Sequence, residues 1–141
     1  NYRMSNVLAG IGRGQLKVLD ERIAKKKYIF EYYKRELANL EGIQFMPVND
    51  WNEPNYWLSC ILLKGAVRPL DVILALEKEN IESRPLWKPM HMQPIFKKYD
   101  YVGSYVAEDL FENGICLPSD TKMTDDDLER VTKIIKGLWS K

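Results

Sequence analysis

YWLSCILL, residues 56–63, is the stretch that decides the fold. It is apolar nearly throughout, carries no charge and is eight residues long, which reads as a central strand. Working outward, Ile43 to Val48 is a short strand candidate, and Pro47 and Pro54 bracket the polar turn VNDWNEP between the two. On the other side, Pro69-Leu70 suits the first turn of a helix, which Val72, Ile73 and Leu76 continue to about Asn80. Ile81 to Arg84 is brief and strand-like, Gly103 to Asn113 is a short helix stopped by Gly114, and Ile115 to Leu117 is another short strand. Thr124 with Asp127 three residues on is a capping-box signature, and the helix it opens shows Leu128, Val131, Ile134, Ile135 and Leu138 on one face.

Ahead of the first strand, residues 5–40 lack proline and read as one long helix. Leu16, Leu19, Ile23, Phe30, Tyr33, Leu37 and Leu40 recur at a three-four alternation, broken once by Lys26. A coiled coil would give a similar stripe, but only about three heptads are present and one position is lysine, so packing on a sheet or another helix is the better reading. The run Lys25, Lys26, Lys27 reads as a solvated face. The element order is helix, strand, strand, helix, strand, helix, strand, helix. It predicts a small α+β sandwich in which helices cover one face of a mostly antiparallel sheet.

The 141 residues make one ordinary domain. With 45 % hydrophobic residues there is enough apolar surface for a core, and disorder is excluded. A formal net charge of +1 argues against a general nucleic-acid binder. No apolar run is long enough to cross a membrane, and no signal peptide is visible. The first residue is Asn1 rather than methionine, which suggests a piece of a longer or processed chain. Cys60 and Cys116 sit in apolar, strand-like surroundings and read as two reduced thiols of a cytoplasmic protein, with a disulfide left open.

Few motifs carry chemistry unaided. GIGRG, residues 10–14, lacks the spacing of a dinucleotide loop and follows a helical run, so its glycines read as close-packing positions. His91 is the only histidine, which is too little for a metal site. Asp125, Asp126 and Asp127 fall in the first turn of a helix, where carboxylates favour the positive end of the dipole. The segment RPLWKPMHMQPIF, residues 84–96, stands out. Pro85, Pro89 and Pro94 exclude regular helix and stiffen a loop that carries Arg84, Trp87, Lys88, His91 and Phe96. Stiff loops bearing aromatic and cationic groups are frequent ligand contacts.

Three segments together resemble the DegT/DnrJ/EryC1 family of sugar aminotransferases: NYRMSNVLAGIGRGQL at 1–16, RPLWKPMHMQPIF at 84–96, and ICLPSDTKMTDDDLERV at 115–131. The RPLWKPMH form is most similar to the branch that aminates carbon 4 of UDP-linked 4-keto-6-deoxy sugars for glycan biosynthesis. The resemblance implies the small C-terminal domain of a fold-type-I aminotransferase that uses pyridoxal phosphate (PLP). Residues 1–40 would be a helical segment leading from the PLP-binding domain, and residues 41–141 the small α+β domain. It also implies that the catalytic lysine lies upstream, that no residue of this chain is catalytic, and that the chain alone is inactive and binds no PLP. Asn1 and Arg3 would contact the PLP phosphate of a partner subunit in a homodimer. His91, Trp87 and Lys88 would line the cleft for the nucleotide-sugar substrate, Arg84 would hold a carboxylate of the amino donor glutamate, and Ser5, Asn6 and the glycines would pack at the interface. The alternative is a stand-alone, non-catalytic binding or dimerisation module.

Overall fold

The fold is that of a computed structural model, which describes residues 3–140. Four strands form one antiparallel sheet: β1 (Ile43–Phe45), β2 (Ser59–Leu63), β3 (Arg84–Pro85) and β4 (Gly114–Leu117), in the order β1-β2-β4-β3. Five helices accompany them: α1 (Asn6–Leu16), α2 (Leu19–Leu37), α3 (Pro69–Glu77), α4 (Val106–Asn113) and α5 (Asp125–Lys136). The expected α+β class holds, with YWLSCILL supplying one of the two central strands.

The alternation along β2 explains the layering. Ser59, Ile61 and Leu63 are buried on one face, while Cys60 and Leu62 are half-buried on the other. The buried face meets Ile115 and Leu117 of β4, and α2, α3 and α5 close over it with Ile29, Tyr33, Leu37, Val72, Leu76, Leu128, Val131 and Ile135. Burying each such side chain is worth about 1.5–3 kcal/mol, so this single cluster holds the helical layer to the sheet. Tyr33 brings a hydroxyl into it and satisfies that group by donating to the Pro118 carbonyl at 2.8 Å. Burial pushes its phenol well above the usual range.

Strand ends differ from expectation for local reasons. β2 begins at Ser59 because Tyr56 sits at φ 49°, in the left-handed region, which ends regular strand geometry. The third strand is Arg84–Pro85, beginning where the expected one ended, because Asn80 at φ 57° turns the chain out of α3 and residues 81–83 are not paired. Gly114 is the first residue of β4, and a Cβ there would collide with Leu86 and the Leu110 carbonyl. The capping box at Thr124 is present: its hydroxyl accepts from the Asp127 N–H at 3.2 Å, and the Asp127 carboxylate accepts from the Thr124 N–H at 2.8 Å. The bond from that backbone N–H, followed by the hydroxyl, holds the Asp127 carboxyl below the usual carboxylate range.

Two expectations about the first forty residues are corrected. The single helix over 5–40 is two helices, broken at Lys17 and Val18, where Val18 adopts φ −115° and ψ 7°. None of the α1 residues is buried, so no tertiary surface holds a continuous helix, and three glycines weaken the first part. Asp20 and Glu21 favour a fresh start in the first turn of α2. The solvated face expected for Lys25, Lys26 and Lys27 also fails at Lys26. Its ammonium donates to the Trp57 carbonyl at 3.0 Å and to the Ser119 carbonyl, which ties α2 to the approaches of β2 and the exit of β4.

Candidate functional site

The proline-stiffened segment 84–96 leaves the sheet through β3, where Arg84 stands opposite Cys116. The Arg84 guanidinium donates to one oxygen of Glu82 from Nε at 2.8 Å and from Nη2 at 2.6 Å. Both side chains are exposed, so the pair orients the guanidinium more than it stabilises the fold. Pro85 and Pro89 then fix the backbone on either side of Trp87. The Trp87 ring lies 6.0 Å from that of Trp57, with 19° between the planes. The two rings, with Glu82, Ser83, Arg84 and Ser119, line a cavity of about 420 Å³. The Ser83 hydroxyl is buried without a partner among the described residues.

Further along, Met90–Met92 forms a single 3-10 turn that carries His91. His91 Nε2 lies 2.6 Å from Glu108 Oε1, and the imidazole is stacked on Tyr101 at 3.7 Å with 17° between the rings. Side-chain exposures of 20 % and 14 % mark this as a sheltered pair rather than a surface contact. A carboxylate only accepts hydrogen bonds, so Glu108 keeps a proton on Nε2; in the neutral imidazole Nδ1 is then an acceptor. The second Glu108 oxygen is buried without a partner among the described residues.

The structure thus brings Arg84 and Trp87 to one cavity and fixes His91 in a separate cluster. Lys88 is exposed, and its carbonyl accepts from Gln93 Nε2 at 3.4 Å. Arg3 is exposed ahead of α1, whose first turn is capped by the Ser5 hydroxyl accepting from Leu8 N–H at 3.3 Å. Asn1 lies outside the described residues. A cofactor phosphate is held by several convergent donors. Of the two residues that the resemblance assigns to that role, Arg3 is the one among the described residues. No described helix is long and apolar enough to cross a membrane. Sequence reasoning missed Trp57, Tyr101 and Glu108. Glu108 reads as an ordinary first-turn acid of α4, and nothing local signals its reach of seventeen residues back to His91.

Comparison with known proteins places this geometry. EpsN of Bacillus subtilis, whose name gives it as a pyridoxal phosphate-dependent aminotransferase, is 46 % identical over 144 residues, covering 99 % of this chain and 37 % of EpsN. The GDP-perosamine synthase of Vibrio cholerae is 32 % identical over 99 % of this chain and 39 % of its own length. The chain therefore spans a little over a third of the curated relatives it matches. Among solved structures, DesI in the presence of its TDP-sugar product superposes with a TM-score of 0.88 at 21 % identity, over 98 % of this chain and 36 % of DesI. The sugar aminotransferase Spr1654 of Streptococcus pneumoniae gives 0.86 at 24 % identity, over 98 % and 36 %. At such identities these two show the shared fold. The sequence model of the DegT/DnrJ/EryC1/StrS aminotransferase family matches residues 1–136, and the chain belongs to that family.

Proposed function

We propose that this chain is the carboxy-terminal portion of a PLP-dependent aminotransferase that moves an amino group from glutamate to a nucleotide-linked 4-keto-6-deoxy sugar for glycan biosynthesis. The observation that carries the reading is the segment 84–96 in its structural setting. It holds Arg84 and Trp87 at one cavity and holds His91 2.6 Å from Glu108, within a chain whose relatives include EpsN and GDP-perosamine synthases. In this reading the nucleotide sugar is met by Trp87, Lys88 and His91, while Arg84 offers a planar fork to a carboxylate of the donor. PLP supplies the electron sink when bound in the intact protein, and its lysine belongs to the upstream domain. Asn1 and Arg3 reach the cofactor phosphate of a partner subunit. The exposed apolar residues of α1, among them Val7, Leu8 and Ile11, support the homodimer this requires.

The test is to assay the intact protein with glutamate against a panel of nucleotide-linked 4-keto sugars. Expected are bound PLP, formation of 2-oxoglutarate and amination of at least one 4-keto-6-deoxy sugar. An intact protein that neither binds PLP nor consumes glutamate overturns the reading.

A further inference from the structure

The most unusual backbone in the molecule leads straight into Trp57. Tyr56 occupies the left-handed region at φ 49° without being glycine. Such conformations persist only where the surroundings over-determine them, and they gather at ligand-binding segments. Here the surroundings do so from three sides. Tyr56 is buried against Phe30, with ring centroids 4.9 Å apart. The Asn55 side chain accepts from the Trp57 N–H at 3.2 Å, and the Trp57 carbonyl accepts from the Lys26 ammonium at 3.0 Å. The backbone of Trp57 is thus clamped, while 63 % of the residue is left exposed. Trp87, 66 % exposed, reaches it from a loop stiffened by Pro85 and Pro89.

The two rings are stacked on each other and both line the cavity of about 420 Å³. Glu82 lines it and offers the carboxylate oxygen that Arg84 does not use. An aromatic face with an acceptor at its edge suits a planar heterocycle. Aromatic side chains stack on any base, because every base has a π-face.

We propose that Trp57 and Trp87 form a stacking ledge for the base of a nucleotide-linked sugar, with Glu82 at the base edge. This rests on the aminotransferase reading and assigns the nucleotide end of its substrate, with Trp57 as a further binding residue outside the segment 84–96.

The experiment is a fluorescence titration of the intact protein with UMP, dTMP and GMP, using ribose 5-phosphate as a base-free control. Saturable quenching of tryptophan emission by at least one nucleotide, and none by ribose 5-phosphate at equal concentration, is the expected result. Trp57→Ala weakens that nucleotide about tenfold, as loss of one stacking partner should, and Trp57→Phe, which keeps a ring, retains most of the affinity. Trp87→Phe, read the same way, guards against a failure of Trp57→Ala to fold. Equal quenching by ribose 5-phosphate, or unchanged affinity in Trp57→Ala, overturns the ledge. Intact protein that binds PLP and consumes glutamate but shows no base-dependent quenching overturns the ledge alone. Protein that does neither, yet is quenched by bases, removes the aminotransferase reading and keeps the ledge.

Discussion

At the scale of single residues, His91 and Glu108 show how a side chain acquires a role that its neighbours in sequence do not announce. The histidine could be singled out by its proline-rich setting, but its partner could not, because a first-turn glutamate is expected on almost any helix. A Glu108 carboxylate 2.6 Å from Nε2 can only accept, which favours the proton on that nitrogen. Glu108→Gln should change that assignment, since an amide can donate to Nε2 and move the proton to Nδ1. Nitrogen-15 imidazole shifts of the intact protein, assigned by difference against His91→Ala, report the tautomer directly. KM for the nucleotide sugar should rise about tenfold with a smaller change in kcat, the scale of one hydrogen bond whose polarity is reversed. An unchanged tautomer with unchanged KM would remove Glu108 from the site and leave it a packing residue.

At the scale of elements, the two central strands and the last helix were legible because short apolar runs and three-four patterns are properties of short windows, whereas the third strand lies at Arg84–Pro85 rather than over 81–84. The break at Val18 was not legible, because the stripe continues across it and only the lack of a packing surface shows where the helix gives way. The cysteines illustrate the same limit. Their burial could be read from apolar neighbours, but their pairing belongs to strand register. Cys60 of β2 stands opposite Cys116 of β4, with the sulfurs 3.7 Å apart and both thiols free. The bond from Cys60 holds the Cys116 thiol below its usual range, against the opposing effect of burial, while the same contact and burial push Cys60 up. Removing the bond in Cys60→Ala leaves only burial acting on Cys116, so its thiolate should form at higher pH. The pH midpoint for alkylation of Cys116 by iodoacetamide, followed by peptide mass, should therefore move upward in the variant. A midpoint that stays put or falls would show that the cross-strand bond does not govern the thiol.

For the whole molecule, the sandwich could be anticipated from element order, and its strand order could not, since nothing in a short window says that β4 inserts between β2 and β3. An exposed apolar surface lies on the first helix. Val7, Leu8, Ile11 and Leu16 of α1 are between 57 % and 72 % exposed, and added methyl groups at Gly10, Gly12 and Gly14 would meet open space. The 141-residue chain prepared by itself should accordingly self-associate. Light scattering should show mass rising with concentration, and Val7→Glu with Ile11→Glu should return it toward monomer. A strict monomer at high concentration would count against α1 as an association surface.

The insertion of β4 also sets an order of events in time. The directly opposed cysteines of the two central strands are 56 positions apart along the chain, and α3, the segment 84–96 and α4 all lie on the loop that their pairing closes. The entropy of closing that loop opposes the contacts that reward it, so the centre of this sheet should form more slowly than the local helices. The tryptophan ledge and the histidine turn hang from that closure. They come into being only with the finished domain, and a chain that loses the β2–β4 seam loses both at once.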